Sequence, residues 1–190
     1  MFELDVQLAG ESVVVSHYLP VLGLRGWLEN DNWALRWRGL DPTLHEVAAD
    51  VPSDCGILLD PKETAPARRS ALTERILAGL ATAPDRDRYR VSTSHEDDLE
   101  RYRAAGVRTW RTIGDRPELG RVLAGGPRED DAVSVRHTML SADAVARLHV
   151  IVPDVVAWTV NTVARADQLR AWGVDGLTTD SREVMVHAAA

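Results

Sequence analysis

Strand-like and helix-like segments alternate from the first residues of this chain to its last, and that alternation constrains the fold more than any other feature. Phe2–Leu8, with Val13–Val15 as its extension, then Cys55–Lys62, Tyr89–Thr93, Val107–Ile113, Ala132–Val135, Val155–Val160 and Gly176–Asp180 read as strands. Between them lie predicted helices. Thr43 is a predicted N-cap, with Glu46 three residues on in capping-box position. Ala67–Ala83 carries Leu72, Ile76, Leu77 and Leu80 on one stripe and ends at Pro84. Glu96–Ala105 is closed by Gly106, Arg116–Ala124 by Gly125-Gly126 and Ala164–Trp172 by Gly173, while Ser141 caps Ala142–His149. Repeated strand–helix–strand units imply a parallel sheet with right-handed crossovers, either open and doubly wound or closed into a (β/α)8 barrel. No Gly-x-Gly-x-x-Gly follows the first strand, so the dinucleotide-binding version has no support.

The principal strands number seven, and the chain has 190 residues, whereas a closed barrel of this kind needs eight strands and typically about 250 residues. The expected fold is therefore α/β, a TIM-type (β/α)8 barrel missing its first β/α unit, with residues 1–190 forming a single domain.

The run Cys55–Leu59 has no polar alternation, which suits a strand buried on both faces, and it ends in charge at Asp60 and Lys62. The C-terminal ends of strands are where an α/β barrel places its chemistry, and a period of two puts Asp60 and Lys62 on the same side. In the first strand the same period puts Glu3, Asp5 and Gln7 on one face and Phe2, Leu4, Val6 and Leu8 on the other. Two ionised carboxylates one pleat apart repel unless a cation lies between them, and oxygen ligands suit Mg²⁺ or Ca²⁺. Glu3-x-Asp5 is thus either a hard-metal site or the water-facing side of an ordinary strand. Trp158 and Asn161 close a later strand, where Trp158 either lines a pocket or packs as barrel core. Arg136 and His137 end another, as a structural pair or facing solvent. Tyr18–Arg38, with Pro20, Gly23, Gly26, Trp27, Trp33 and Trp37, fits neither period and is predicted to be a long loop over the barrel mouth.

Acidic groups outnumber basic ones to give a formal charge of -7, and no basic block stands out, which disfavours nucleic acid as a partner. The lone Cys55 cannot form an internal disulfide. With no basic-plus-apolar leader and no long apolar run, the expected location is cytoplasmic, without stable membrane insertion.

Glu3-x-Asp5-Val6, a short turn, a valine-rich strand and His17 follow one another in an order that resembles the glycerophosphodiester phosphodiesterase family. The resemblance returns at Leu59-Asp60-Pro61-Lys62, at Trp158-Thr159-Val160-Asn161 and at Gly173 to Asp180, and so spans nearly the whole chain. It implies metal-dependent hydrolysis of small glycerophosphodiesters to glycerol 3-phosphate and an alcohol, a step of lipid metabolism. By the resemblance Glu3, Asp5 and Asp60 would hold one divalent cation, Ca²⁺ or Mg²⁺. Lys62 would contact the phosphate and assist catalysis, His17 would transfer a proton, and Trp158 and Asn161 would bind substrate.

The sequence departs from the family at three places. Asp60 stands where the family usually has Glu, and Tyr18 where Asp usually follows the second His. The family's opening His-Arg-Gly strand and Glu-Asn-Thr helix have no counterpart ahead of Glu3. That unit carries one His of the acid/base pair and the Arg that grips phosphate. Its absence would leave a slot between Phe2–Leu8 and Leu177–Thr179, two apolar edges through which a homo-oligomer could form. The alternative function is a catalytically impaired barrel remnant acting as a ligand-binding or assembly module.

Overall fold

Residues 1–16, 41–126 and 128–188 are described by the computed structural model; the expectations for His17 and for the Tyr18–Arg38 stretch with Trp27, Trp33 and Trp37 fall outside these residues. The chain divides into two units, Met1–Arg108 and Thr109–Ala190.

In the first unit, strands β1 (Phe2–Ala9), β2 (Ser12–Val15), β3 (Ile57–Pro61) and β4 (Tyr89–Thr93) form a sheet in the order β2-β1-β3-β4. Val13–Val15, set off by the expected turn and counted with the first strand as its extension, doubles back on it. β2 pairs antiparallel with β1 from Val6↔Val15 to Ala9↔Ser12. The reversal needs a residue in the left-handed region, which Gly10 supplies at φ 61 without steric cost. One edge of β1 is therefore covered over its C-terminal half. On the other edge β1 and β3 run parallel in the register Phe2↔Ile57 to Val6↔Pro61, and β3 runs parallel to β4.

Three helices accompany these strands: α1 (Leu44–Asp50), α2 (Pro66–Thr82) and α3 (Glu96–Ala104). Thr43 caps α1 in the reciprocal arrangement expected, its side chain accepting from the Glu46 amide while the Glu46 carboxylate accepts from the Thr43 amide. Leu72, Ile76 and Leu80 of α2 are buried with Val6, Ile57, Leu59 and Val91, so the stripe and the strands share one core. Ile57, Leu58 and Leu59 are all buried, as a strand covered on both faces requires.

In the second unit, β5 (Arg108–Ile113), β6 (Ala132–Arg136), β7 (Asp154–Trp158) and β8 (Gly176–Leu177) follow in sheet order and pair in parallel, with α4 (Arg116–Ala124), α5 (Ala142–Leu148), α6 (Val163–Ala171) and α7 (Arg182–Ala188) between and after them. Ile113, Val133, Val135, Leu148, Val155, Ala157 and Leu169 build the core. β7 and β8 are shorter than expected, although the Thr178 amide still donates to the Ala157 carbonyl and the Val160 amide to the Thr178 carbonyl, both at 2.9 Å. Asn161 Oδ1 accepts from the Asp180 amide at 3.1 Å, so the chain after Leu177 is held without being a strand.

A buried ionic cluster also lies in this unit. Asp130 Oδ2 accepts from Arg111 Nε at 3.1 Å and Arg128 Nε at 3.2 Å, and its Oδ1 accepts from the Thr109 hydroxyl at 3.2 Å.

The principal strands among the described residues are the seven counted from the sequence, β1 and β3 to β8. No helix among the described residues is long and apolar enough to cross a membrane.

Candidate active site

The acidic cluster of the first unit follows from one register. Asp5 on β1 lies directly beside Asp60 on β3, and in a parallel pair such neighbours project to the same face. Glu3, one pleat back, shares that face, while Val6, Ile57 and Leu59 occupy the opposite one with the buried core. Carboxylate oxygens of Glu3, Asp5 and Asp60 all come within 4.8 Å of one another. Oxygens bound to one hard cation at about 2.0–2.6 Å are separated by distances of this order, so the donor set fits Mg²⁺ or Ca²⁺ in both chemistry and spacing. Gln7 continues the same face, fully buried, with its Nε2 donating to the Ser16 carbonyl at 2.6 Å and its Oε1 without a hydrogen-bond partner among the described residues.

Lys62, two residues beyond Asp60, completes the group. Its Nζ lies 2.9 Å from Asp5 Oδ1 and 2.5 Å from Asp60 Oδ2. Burial opposes the ammonium charge, but Asp60 and then Asp5 outweigh it through charge and hydrogen bonds, and the net effect holds the lysine pKa above its ordinary value. The cluster thus carries its own positive charge, a third exposed on the lysine side chain.

Two residues that sequence reading passed over hold this rim. Glu63 is buried, accepts from the Leu8 amide at 3.1 Å, and pairs in bidentate fashion with Arg68 Nε at 2.8 Å and Nη2 at 2.7 Å. The available signal was a second acidic residue immediately after Lys62 with an arginine five positions on, in the first turn of α2.

In the second unit, Trp158 ends β7 in register with Arg136 of β6. Trp158 Nε1 donates to the Ser134 carbonyl at 3.0 Å, and the Arg136 guanidinium lies 5.2 Å from the ring centroid, a cation–π distance. Asn161 Oδ1 accepts from Thr179 Oγ1 and the Asp180 amide, both at 3.1 Å. His137 Nδ1 accepts from Arg165 Nε at 3.2 Å; burial and then the Arg165 charge push its pKa below the usual histidine value, leaving a neutral ring that serves structure. His17 is outside the described residues.

An α/β chain of parallel strands with acidic and basic groups, Asp60 and Lys62, at the C-terminal end of one of them is built as TIM-type enzymes are built. The chain matches the model of the glycerophosphoryl diester phosphodiesterase family over residues 27–184, and it belongs to that family. Asp60, Lys62, Trp158 and Asn161 lie inside the matched residues; Glu3 and Asp5 precede them.

Solved structures carry the same fold. A glycerophosphodiester phosphodiesterase from Parabacteroides distasonis superposes with a TM-score of 0.72 at 18% identity, over 98% of this chain and 83% of that one. One from Thermotoga maritima gives 0.69 at 23% identity, over 98% and 84%. An Oleispira antarctica phosphodiesterase, solved with the product sn-glycerol-3-phosphate, gives 0.68 at 18%, over 99% and 84%. These likenesses establish the TIM-type α/β fold. Among curated proteins nothing matches.

Proposed function

We propose that this chain, as one barrel domain, hydrolyses glycerophosphodiesters to glycerol 3-phosphate and an alcohol with the help of one divalent cation, Ca²⁺ or Mg²⁺. The observation that carries the reading is the convergence of Glu3, Asp5 and Asp60 on one strand face with Lys62 between two of them, in a member of this family. Held by the three carboxylates, the cation would supply positive charge to the phosphodiester oxygens. Lys62 gives a second positive contact to the phosphate, from a segment held to β1 by its own amide, which donates to the Val6 carbonyl at 3.0 Å. His17 transfers a proton to the leaving alkoxide or from the nucleophile, work that commonly contributes roughly 10²–10⁴-fold. Trp158 and Asn161 bind the glycerol moiety. A place in lipid metabolism, a cytoplasmic location and self-association through a strand edge belong to the same reading.

The test is release of glycerol phosphate from glycerophosphocholine with Ca²⁺, Mg²⁺ or EDTA. Release with a cation and its loss in EDTA are expected. Release unaffected by EDTA overturns the metal requirement, and a folded chain inert under every condition favours the non-catalytic module.

Lys62→Met separates the two positive charges. The lysine ammonium already neutralises part of the cluster, so its removal is expected to tighten Ca²⁺ binding in a calorimetric titration about three- to tenfold, through reduced like-charge repulsion. Hydrolysis is expected to fall about a hundredfold in the same variant, through loss of the phosphate contact. Calcium affinity unchanged or weaker would mean that Lys62 does not share the cation's oxygens.

A further inference from the structure

β1 and β3 are hydrogen-bonded partners as far as Val6↔Pro61, and the Lys62 amide reaches the Val6 carbonyl at 3.0 Å. Continued by the same register, the next pairing would set Leu8 against the backbone at position 63. The chain does not make that pairing, because it turns away toward α2, which starts at Pro66. Side chains replace it. Leu8 donates its amide to Glu63 Oε1 at 3.1 Å and accepts at its carbonyl from Arg68 Nη2 at 3.0 Å. The two side chains are themselves joined by the bidentate pair of 2.7 and 2.8 Å. A carboxylate and a guanidinium thus present to Leu8 the acceptor and donor that a strand backbone would have offered.

The position of this substitute matters for the cluster. It follows Lys62 directly on one side and caps β1 on the other, three residues past Asp5. Between it and the last regular pairing, Val6↔Pro61, lies Lys62, and Asp60 sits one residue earlier, inside the ladder. Without it, the end of β3 would be tied to β1 only through Lys62 and the ladder before it. Glu63 is only 2% exposed, and its buried oxygens are met by the Arg68 guanidinium and the Leu8 amide.

We infer that Glu63, through its pair with Arg68, is a positioning residue for the cation and phosphate site: it fastens the chain just beyond β3 to β1 at the rim and so holds Lys62 against Asp5 and Asp60, whose own spacing the ladder fixes. The inference deepens the phosphodiesterase reading and rests on it for the role of the cluster. Glu63 itself touches neither cation nor substrate in this scheme. Glu63→Gln keeps an oxygen for Leu8 but loses the charge that binds Arg68, so the rim loosens while the core beneath it stays packed.

The experiment compares the wild type, Glu63→Gln and a control, Thr73→Val, which disturbs a buried hydrogen bond to Asp98 in the same unit away from the rim. In the metal-free proteins, the nitrogen–proton NMR signal of the Lys62 ammonium reports its hold by Asp5 and Asp60, and amide exchange at Leu8 and Lys62 reports the rim. Glu63→Gln is expected to lose the ammonium signal and to exchange these amides at least tenfold faster. Calorimetric titration with Ca²⁺ is expected to show about three- to tenfold tighter binding, the same sign as in Lys62→Met, because the released ammonium no longer competes for the Asp5 and Asp60 oxygens. Thr73→Val is expected to lower the melting temperature without either change.

An unaltered Lys62 signal and a calcium affinity within twofold of wild type, in a folded Glu63→Gln protein, overturn the inference. Should that variant not fold, Arg68→Lys, at a side chain half exposed, is expected to shift the same signals in the same direction by about threefold, and its failure to do so is equally decisive. A wild type that binds no Ca²⁺ or Mg²⁺ removes the cation reading alone, and the Lys62 signal and the amide exchange then decide whether Glu63 sets the rim.

Discussion

Asp5→Asn is expected to lower kcat/KM for glycerophosphocholine by about a thousandfold, roughly 4 kcal/mol of transition-state stabilisation at 1.36 kcal/mol per decade, with the fold intact. Asparagine has the shape of aspartate, and the Asp5 backbone rather than its side chain makes the β1–β3 ladder, so the register that aligns position 5 with Asp60 survives. What changes is charge and donor type. One of the three carboxylates is lost, and with it one oxygen donor for the proposed cation. The carboxamide can also turn its NH₂ toward Lys62, now 2.9 Å from Asp5 Oδ1, setting two donors against each other. Lys62 keeps Asp60, so the loss of activity should not be accompanied by unfolding. Steady-state kinetics at saturating calcium, beside a thermal melt, measures both. Activity within tenfold of wild type would place the chemistry elsewhere than on this face, and equal loss in Asp60→Asn would reinforce the site.

The largest stability effect is expected in the second unit, from Asp130→Ala. Arg111 is 5% exposed and Asp130 2%, so the guanidinium is deep in the unit when its carboxylate partner goes. Removing one member of a buried ion pair typically costs about 3–5 kcal/mol, because the charge that remains has neither water nor its counter-ion. For a chain of this length that is about 10 °C in melting temperature. Thr109 loses the acceptor of its hydroxyl as well, which adds to the cost. Urea unfolding gives the measurement, and a loss below about 1 kcal/mol would show that Arg111 finds other compensation. Catalysis by the folded fraction should not change, since Asp130 takes no part in the proposed chemistry.

Much of the fold could be read from period alone. An unbroken apolar run at Ile57-Leu58-Leu59 implies cover on both faces, and all three are buried. The capping box at Thr43 and Glu46, the cap at Ser141 and the stripe of α2 are local, decided within one or two turns of chain. The turn before Val13 was legible, but the antiparallel pairing of Val13–Val15 on β1 was not, because the same apolar composition suits a strand that extends β1 and one that pairs back on it. The ends of β7 and β8 were overestimated for a related reason. The two segments stay joined past their strands by backbone bonds at Thr178 and by the Asn161 side chain at Asp180, and apolar composition does not tell such a connection from a regular ladder.

For the site, a period of two was sufficient to put Glu3 with Asp5 and Asp60 with Lys62, each pair on its own strand, and the order of the motifs pointed to the family in which the chain belongs. Those relations are determined by the sequence itself, because side-chain direction along a strand depends only on the alternation of the backbone. That Asp5 stands beside Asp60, that Lys62 reaches both, and that Glu63 with Arg68 closes the rim were decided only in the tertiary structure. Fifty-five positions separate the two aspartates, and a shift of one residue between their strands would have turned one of them into the core. Register over such a distance is chosen by how whole strands and helices pack, which no local pattern encodes.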